Sequence, residues 1–564
     1  MNKKLKRITS IALSAIALSS AGSFVGCGRG GGIKPDPNKS QLTIGNYDGG
    51  LGHDWLENII DKFEADYADY SFEENKVGCQ IWVDNRLTEY AGDQLLAGIP
   101  YGKASIICTQ SCDYSNLVAN DVLHDITGWL QEDVYDDDGN LIYDETGKIV
   151  KTGATRSVLD GLQAEYEAHY NVNGKYYAMP FSQLIAGMWY DADLFDMKGY
   201  YFFANGSIGA KQADVDAGLG GKGPDGKSGT SDDGLPATWK QFRSLMQTMK
   251  TGGVIPFTWD GAHNYQRSWF FTAVMASYEG YDDMLLNYSL TGQDSNQSEI
   301  NVTGLDTVGL LAQQNGRKAA CYAVRDIVAS GNYSSAAFNG AQTHTGAQRE
   351  FLESTNTSSP IAMFIEGSYW LNEARDVCDE MEKLNPEWGY AKRNVRYMPI
   401  PRFEADGDLP AQESTDMVLS SQLDDTAILV KKNLECEELT KLFYQYLHSR
   451  ESMVICERDT LTFRPFDYQL VGNEYNELPQ IVKSIREKID EGARIINNLP
   501  KSSLAKNTLT KRRDWLVAAN ISKNNIGSTQ DIFYVFKDYA SLTWQEYYEG
   551  IVNSTVGNFP LAAN

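Results

Sequence analysis

The residue sets of this 564-residue chain that suggest chemistry point to binding more than to bond breaking. GxSxG and HExxH are both missing from the sequence. What recurs is an aromatic side chain beside planar hydrogen-bonding groups in polar segments. Asp48, His53 and Trp55 form one such group, and Asp84, Asn85 and Arg86 another. Thr109, Gln110 and Ser111 follow, then Trp259-Asp260, Trp269, and the run Glu366-Gly367-Ser368-Tyr369-Trp370. A flat ring covers an apolar face of a ligand, while amides and carboxylates fix its hydroxyls. Each Trp is alternatively a core residue, as Trp82 within a strand and Trp239 at a helix start are expected to be. Asp191 and Asp193 could serve a glycosidase, which needs only two carboxylates.

A separate set is acidic. Asp214 and Asp216 precede the segment 223–234, GPDGKSGTSDDG, which contains Asp225, Asp232 and Asp233. Asp and Gly at this density suit calcium, which wants many oxygens on a tightly turning chain. The segment lacks the terminal bidentate Glu of the EF-hand loop. One structural calcium or a solvated loop are the two readings, and no other cofactor is expected.

The elements that position these residues alternate. Residues 41–47 read as a strand, and 54–67 as a helix with Leu56, Ile59, Ile60 and Phe63 on one face. Strands follow at 80–83 and 104–109, with an amphipathic helix near 87–97. This is the start of a doubly wound α/β fold, whose sites lie beyond the carboxyl ends of the strands. Residues 132–152 predict a β-hairpin insertion, with turns at Asp138-Gly139 and Thr146-Gly147. Thr238 is the expected N-cap of a helix burying Phe242, Leu245, Met246 and Met249.

The amino terminus has its own logic. Lys3, Lys4, Lys6 and Arg7 precede an apolar run from Ile8 to Val25, then Gly26-Cys27. This pattern predicts a signal peptide over 1–26. The Cys after Phe24-Val25-Gly26 resembles a bacterial lipobox, so Cys27 is the expected lipidation site. Two or three acyl chains, palmitate among them, anchor a protein that does not span the membrane. The alternative is a transmembrane helix, for which the run is short. Residues 27–40, rich in Gly, Pro and Lys, would be the tether. The expected location is the outer face of a bacterial cell membrane.

The net charge is −25, and −29 without the four cations of the leader. Such a surface argues against nucleic acid as a partner. With 42% hydrophobic and 11% aromatic residues, the body should bury well-packed cores. After the tether about 520 residues remain, enough for two or three domains. Seven scattered cysteines besides Cys27 read mostly as buried thiols.

Six motifs, in order, resemble the extracellular solute-binding proteins of bacterial ABC importers, of the maltose-binding family 1 type. They are GKYYAMPF (Gly174–Phe181), GMWYDADLF (Gly187–Phe195), LPATWKQF (Leu235–Phe242), IAMFIEGSYW (Ile361–Trp370), RYMPIP (Arg396–Pro401) and TAILVKKN (Thr426–Asn433). The resemblance implies a two-lobed α/β fold with a hinge, a central ligand cleft and an extra helical C-terminus. One lobe would hold 41–170 plus 418–478, the other 175–412 plus 479–564, with an Asp/Gly-rich insertion at 205–236. It implies a non-enzymatic receptor, expected as a monomer, that delivers a carbohydrate to ABC permease subunits. An oligosaccharide is the expected ligand. Trp370 resembles, by its place in the motif, the stacking aromatic of the family. A surface-anchored glycan-degrading enzyme and a purely structural lipoprotein are the alternatives; product analysis and a binding screen separate them.

Overall fold

The computed structural model describes residues 34–86, 92, 94–110, 112–302, 310–311, 313–422, 426–499, 520–521 and 530–538. Cys27 and the leader lie outside the described residues, as do Ser111 and most of the expected 87–97 helix.

Two sheets organise the chain. The first has the strand order Cys79–Asp84, Ser40–Asn46, Ile106–Thr109, Ala427–Val430, Ala178–Pro180. Its first three strands are parallel, and Ala427–Val430 runs antiparallel to both neighbours. Parallel pairing needs a crossover, and the helix Asp54–Asp66 supplies it between two of them. That helix buries Trp55, Leu56, Ile59, Ile60 and Phe63. Phe63 packs edge-on against Phe443 and Tyr446 of the later helix Glu437–Leu447.

The second sheet has the order Ile255–Thr258, Ile361–Gly367, Leu184–Asp191, Val418–Gln422, Arg494–Ile496, with Val395–Met398 also paired to Leu184–Asp191. It is covered on both faces. Met188, Tyr190, Met363 and Ile365 point into one core, and Trp189 and Phe364 into another. This is the period-two alternation of a strand with apolar groups on both sides. The helix Tyr265–Glu279 is apolar nearly all round and correspondingly buried along nearly its whole length.

The chain passes between the sheets at 181–183, after Gln422, and after the helix Arg450–Thr460. The first crossing is stitched to each of the other two. Gln183 and Phe463 exchange backbone hydrogen bonds of 2.6 and 3.1 Å. Thr426 Oγ1 accepts from Ser182 N and donates to Ser182 O, each at 3.1 Å. The crossings differ from the expected boundaries at 175 and 418. Ala178–Pro180 completes the first sheet, and Val418–Gln422 joins the second because it pairs antiparallel with Leu184–Asp191.

The insertions keep their own short pairings. In 132–152 the strands Ile142–Tyr143 and Ile149–Val150 form the expected hairpin. In 205–236, Ile208–Ala210 pairs with Tyr201–Phe202. Of the expected helical C-terminus, Ile532–Asp538 is described and packs on the helix Asn315–Val328. Among the described residues no helix is long and apolar enough to cross a membrane.

Candidate functional site

The loop after the strand Ser40–Asn46 meets the second lobe directly. Asp48 shapes that loop by accepting from Gly52 N at 2.8 Å. Gly50 has φ +86°, and a Cβ there would lie 2.8 Å from the Tyr369 ring. Only glycine permits both the left-handed backbone and this approach. Across the gap, Asn372 Nδ2 donates to Leu51 O at 2.9 Å and Gly50 O at 3.3 Å. Asp54 faces Arg375 at 3.8 Å.

The other wall is built from the helix Tyr265–Glu279 and the end of the strand Ile361–Gly367. Tyr265 meets Trp269 edge-on at 4.7 Å. Trp269 and Tyr369, each 7% exposed, pack with the core of the first lobe, although both belong to segments of the second. Glu366 is fully buried; it accepts from Gly367 N at 2.9 Å and from Gln266 Nε2. Burial pushes its carboxyl up to about 8, the Gly367 N–H opposes this, and the Glu373 charge adds to the rise. Burial, then Glu373 and Asp48, raises the Tyr47 hydroxyl. His53 is held above the usual imidazole range by its hydrogen bond to Asp48, against partial burial.

Beside this wall stands a second constellation. Asp260 is buried in the loop after the strand Ile255–Thr258 and pairs with His263 Nδ1 at 2.9 Å. His344 opens the helix His344–Ser354 and contacts Glu373 Oε1 through Nε2 at 3.2 Å. One ligand atom each from Asp260, His263 and His344 lies within 4.8 Å of the others.

The expected site residues separate into two groups. Asp48, His53, Asp260, Trp269, Glu366 and Tyr369 gather near the contact between the lobes. Asn85 sits just behind it, accepting from Asn46 Nδ2 at 3.1 Å, and Asp84 pairs with Arg86. Three tryptophans are corrections. Trp370 is fully buried, edge-on to Phe351 and Phe364 at 5.6 and 5.1 Å. Trp259 is fully buried among Tyr333, Phe338 and Phe533. Trp55 is fully buried against Phe181. With no exposed surface at all, these three rings offer no face to a ligand. Sequence reasoning missed Tyr47, Tyr265, His263, His344, Asn372 and Glu373. Tyr47, Tyr265, His263, Asn372 and Glu373 lie within six residues of named candidates; His344 carried no local signal.

The carboxylates proposed for other chemistry are already engaged. Asp191 caps the helix Ala192–Lys198 through Leu194 N and pairs, buried, with Arg393 at 2.8 Å; Asp193 holds Asn394. That leaves no free acid pair for a glycosidase there. In the Asp/Gly loop, Asp214 accepts from Lys211 N and Asp216 from Gln212 Nε2. Asp225, Asp232 and Asp233 accept from Lys227 N, Asp225 N and Gly229 N. Burial raises Asp232 to about 6, against its Asp225 N–H bond and the Lys488 charge. Asp225 Oδ2 and Asp233 Oδ1 are buried without hydrogen-bond partners.

No family model matches the chain, and no curated protein matches it in sequence. Solved structures do match in fold. The solute-binding protein RafE in complex with raffinose superposes with TM-score 0.52 at 14% identity, over 92% of this chain and 98% of that one. A structure from work on xylan utilization by the thermophilic bacterium Caldanaerobius polysaccharolyticus gives 0.54 at 13% identity, over 91% and 99%. The bacterial solute receptor AcbH, with its substrate preference for β-D-galactopyranose, gives 0.54 at 12% identity, over 92% and 97%. The chain thus has the two-lobed α/β fold of the solute-binding proteins.

Proposed function

We propose that this chain is a lipid-anchored extracellular receptor that captures a carbohydrate, an oligosaccharide by preference, and delivers it to an ABC permease. The observation that carries the reading is the interlobe wall of Tyr265, Trp269 and Tyr369 facing the Tyr47–Leu51 loop. Aromatic faces with amides, carboxylates and imidazoles around them match the alternating apolar and hydroxylated surfaces of a sugar. Sugar ligands of the proteins with the same fold support it. A stitched hinge allows the lobes to close on a ligand, and a closed form is what a permease would recognise. Cys27 supplies the anchor.

A glycan array on the chain without its leader tests the reading. The expected result is retention of a defined oligosaccharide that is recovered intact. Binding to no glycan would overturn the carbohydrate assignment, and recovery of cleaved products would replace receptor with enzyme.

The calcium reading of residues 214–234 is kept as a second, structural proposal. It is supported by the two buried, unpartnered oxygens of Asp225 and Asp233. Asp214 and Asp216 are engaged on their own short helix and drop out of the ligand set.

A further inference from the structure

We propose that Asp260, His263 and His344 form a binding site for a divalent transition-metal ion of the zinc class at the edge of the cleft. This goes beyond carbohydrate capture and does not depend on it.

The donor set selects the ion. Two imidazole nitrogens and one carboxylate oxygen suit zinc and its neighbours, whereas calcium and magnesium take oxygen. Among the described residues this is the one group of three His, Cys, Asp or Glu side chains with ligand atoms within 4.8 Å of one another. It joins segments about 80 positions apart in the sequence, so local turn formation does not explain it.

Each ligand is already oriented. Asp260 is fixed from three sides: its N–H donates to Gln266 Oε1 at 2.6 Å, and Oδ1 accepts from Ala262 N at 2.7 Å and His263 N at 3.0 Å. That leaves Oδ2 toward His263 Nδ1. His344 has the arrangement of a metal-binding imidazole. Its Nε2 is bonded to Glu373, and Glu373 is itself held by Gln348 Nε2 at 2.6 Å. Its Nδ1 is buried with no hydrogen-bond partner. A carboxylate on one ring nitrogen and a metal on the other is the usual outer-shell pattern of histidine ligands. Without a metal, that buried nitrogen has nothing to satisfy it.

The local charge also calls for a cation. Asp260 is fully buried and Glu373 lies nearby, while the nearby Arg267 is engaged by Asp531 at 2.6 Å and by Asp260 O. The His263 side chain is 56% exposed, which gives an ion its way in. Three protein ligands with an open side is the arrangement that keeps an exchangeable position for water or for an oxygen of a bound solute.

The test uses the full chain, dialysed against chelator and titrated with zinc by calorimetry, with cobalt absorption as a second readout. No sugar is present, so its result is separate from the glycan array. The expected result is a site of one ion per chain, with ligand-field cobalt bands of low coordination number. His263→Ala and His344→Ala should each weaken it at least about tenfold, the lower end of what losing even an outer-shell partner costs. His263 is largely exposed, so H263A keeps the fold and carries the test if H344A does not. Asp232→Asn should leave zinc affinity unchanged. No zinc binding by the native chain, or equal binding by the native chain and H263A, overturns the site. Loss on D232N alone would move the ion to the Asp/Gly loop and overturn it equally.

Discussion

Tyr369 and Trp370 are adjacent in sequence and face opposite environments. Tyr369 lies under Gly50 at the cleft, and Trp370 is wedged between Phe351 and Phe364. The pair therefore makes a sharp mutational contrast. Trp370→Ala removes a fully buried ring and should cost about 3–5 kcal/mol of folding free energy. Tyr369→Ala also removes a largely buried ring and should cost stability, but in addition it should weaken glycan binding by roughly 1–3 kcal/mol, ten- to over a hundredfold, which Trp370→Ala should not. Chemical denaturation and calorimetry with the array-identified glycan separate the two. An unaltered affinity in Y369A would remove that ring from the ligand site. Glu366 gives a second prediction at this scale. Its carboxyl is raised from 4.5 to about 8 in the folded chain, chiefly by burial. The folded state then holds a proton that the unfolded state has released, so stability should fall as pH rises from about 4.5 to 8. A shift of that size is worth on the order of 5 kcal/mol. Glu279, raised by burial to about 7, loses stability in the same direction but finishes earlier. Glu366→Gln should therefore flatten the melting temperature most clearly between pH 7 and 8. An E366Q profile as steep as the native one would show that Glu366 stays ionised.

Among the elements, the insertion 205–236 and the helix after it show how local chemistry is written. Thr238 accepts from Gln241 N while the Gln241 side chain accepts from Thr238 N, a capping box at the expected helix start. The Asp/Gly loop just before it is tighter than a solvated loop needs to be. Gly223 has φ +63°, and a Cβ there would lie 2.3 Å from Asp232 O. Asp232 is fully buried. Bound calcium would satisfy the unpartnered oxygens of Asp225 and Asp233. A ligand that binds only the native state at a hundred times its Kd stabilises it by about 2.7 kcal/mol. A calcium-selective chelator should therefore lower the melting temperature, and Asp232→Asn should abolish that effect. Superimposable melting curves with and without chelator, with no calcium by elemental analysis, would leave a calcium-free loop.

The whole molecule is two covered sheets joined by bonded crossings, and the proposed ligand wall draws on both lobes. Its expected place outside the cell rests on Cys27, whose thiol is the atom that lipidation requires. Cys27→Ala should move the protein from the detergent phase to the aqueous phase on partitioning, with its glycan affinity intact. Retention of C27A in the detergent phase would refute the lipid anchor. Side chains of one lobe pack in the core of the other, as Trp269 and Tyr369 do.

Much of this was legible in the sequence because it is local. The period of Leu56, Ile59, Ile60 and Phe63, the Thr238 cap and the hairpin turns at 138–139 and 146–147 depend on neighbours within one or two turns of chain. The order of motifs from Gly174 to Asn433 was enough for the two-lobed fold, since that fold is set by the succession of its elements. The site was legible only in part. Asp48, His53, Asp260, Glu366 and Tyr369 follow strand ends, where an α/β sheet opens toward its cleft. Whether a tryptophan in such a segment faces ligand or core depends on partners far away in the chain, such as Phe181 for Trp55 and Phe533 for Trp259. His344 was silent for the same reason. Its meeting with Asp260 and His263 joins segments about 80 residues apart, and Glu373, which contacts it, follows the strand Ile361–Gly367 that only the folded sheet pairs with Ile255–Thr258.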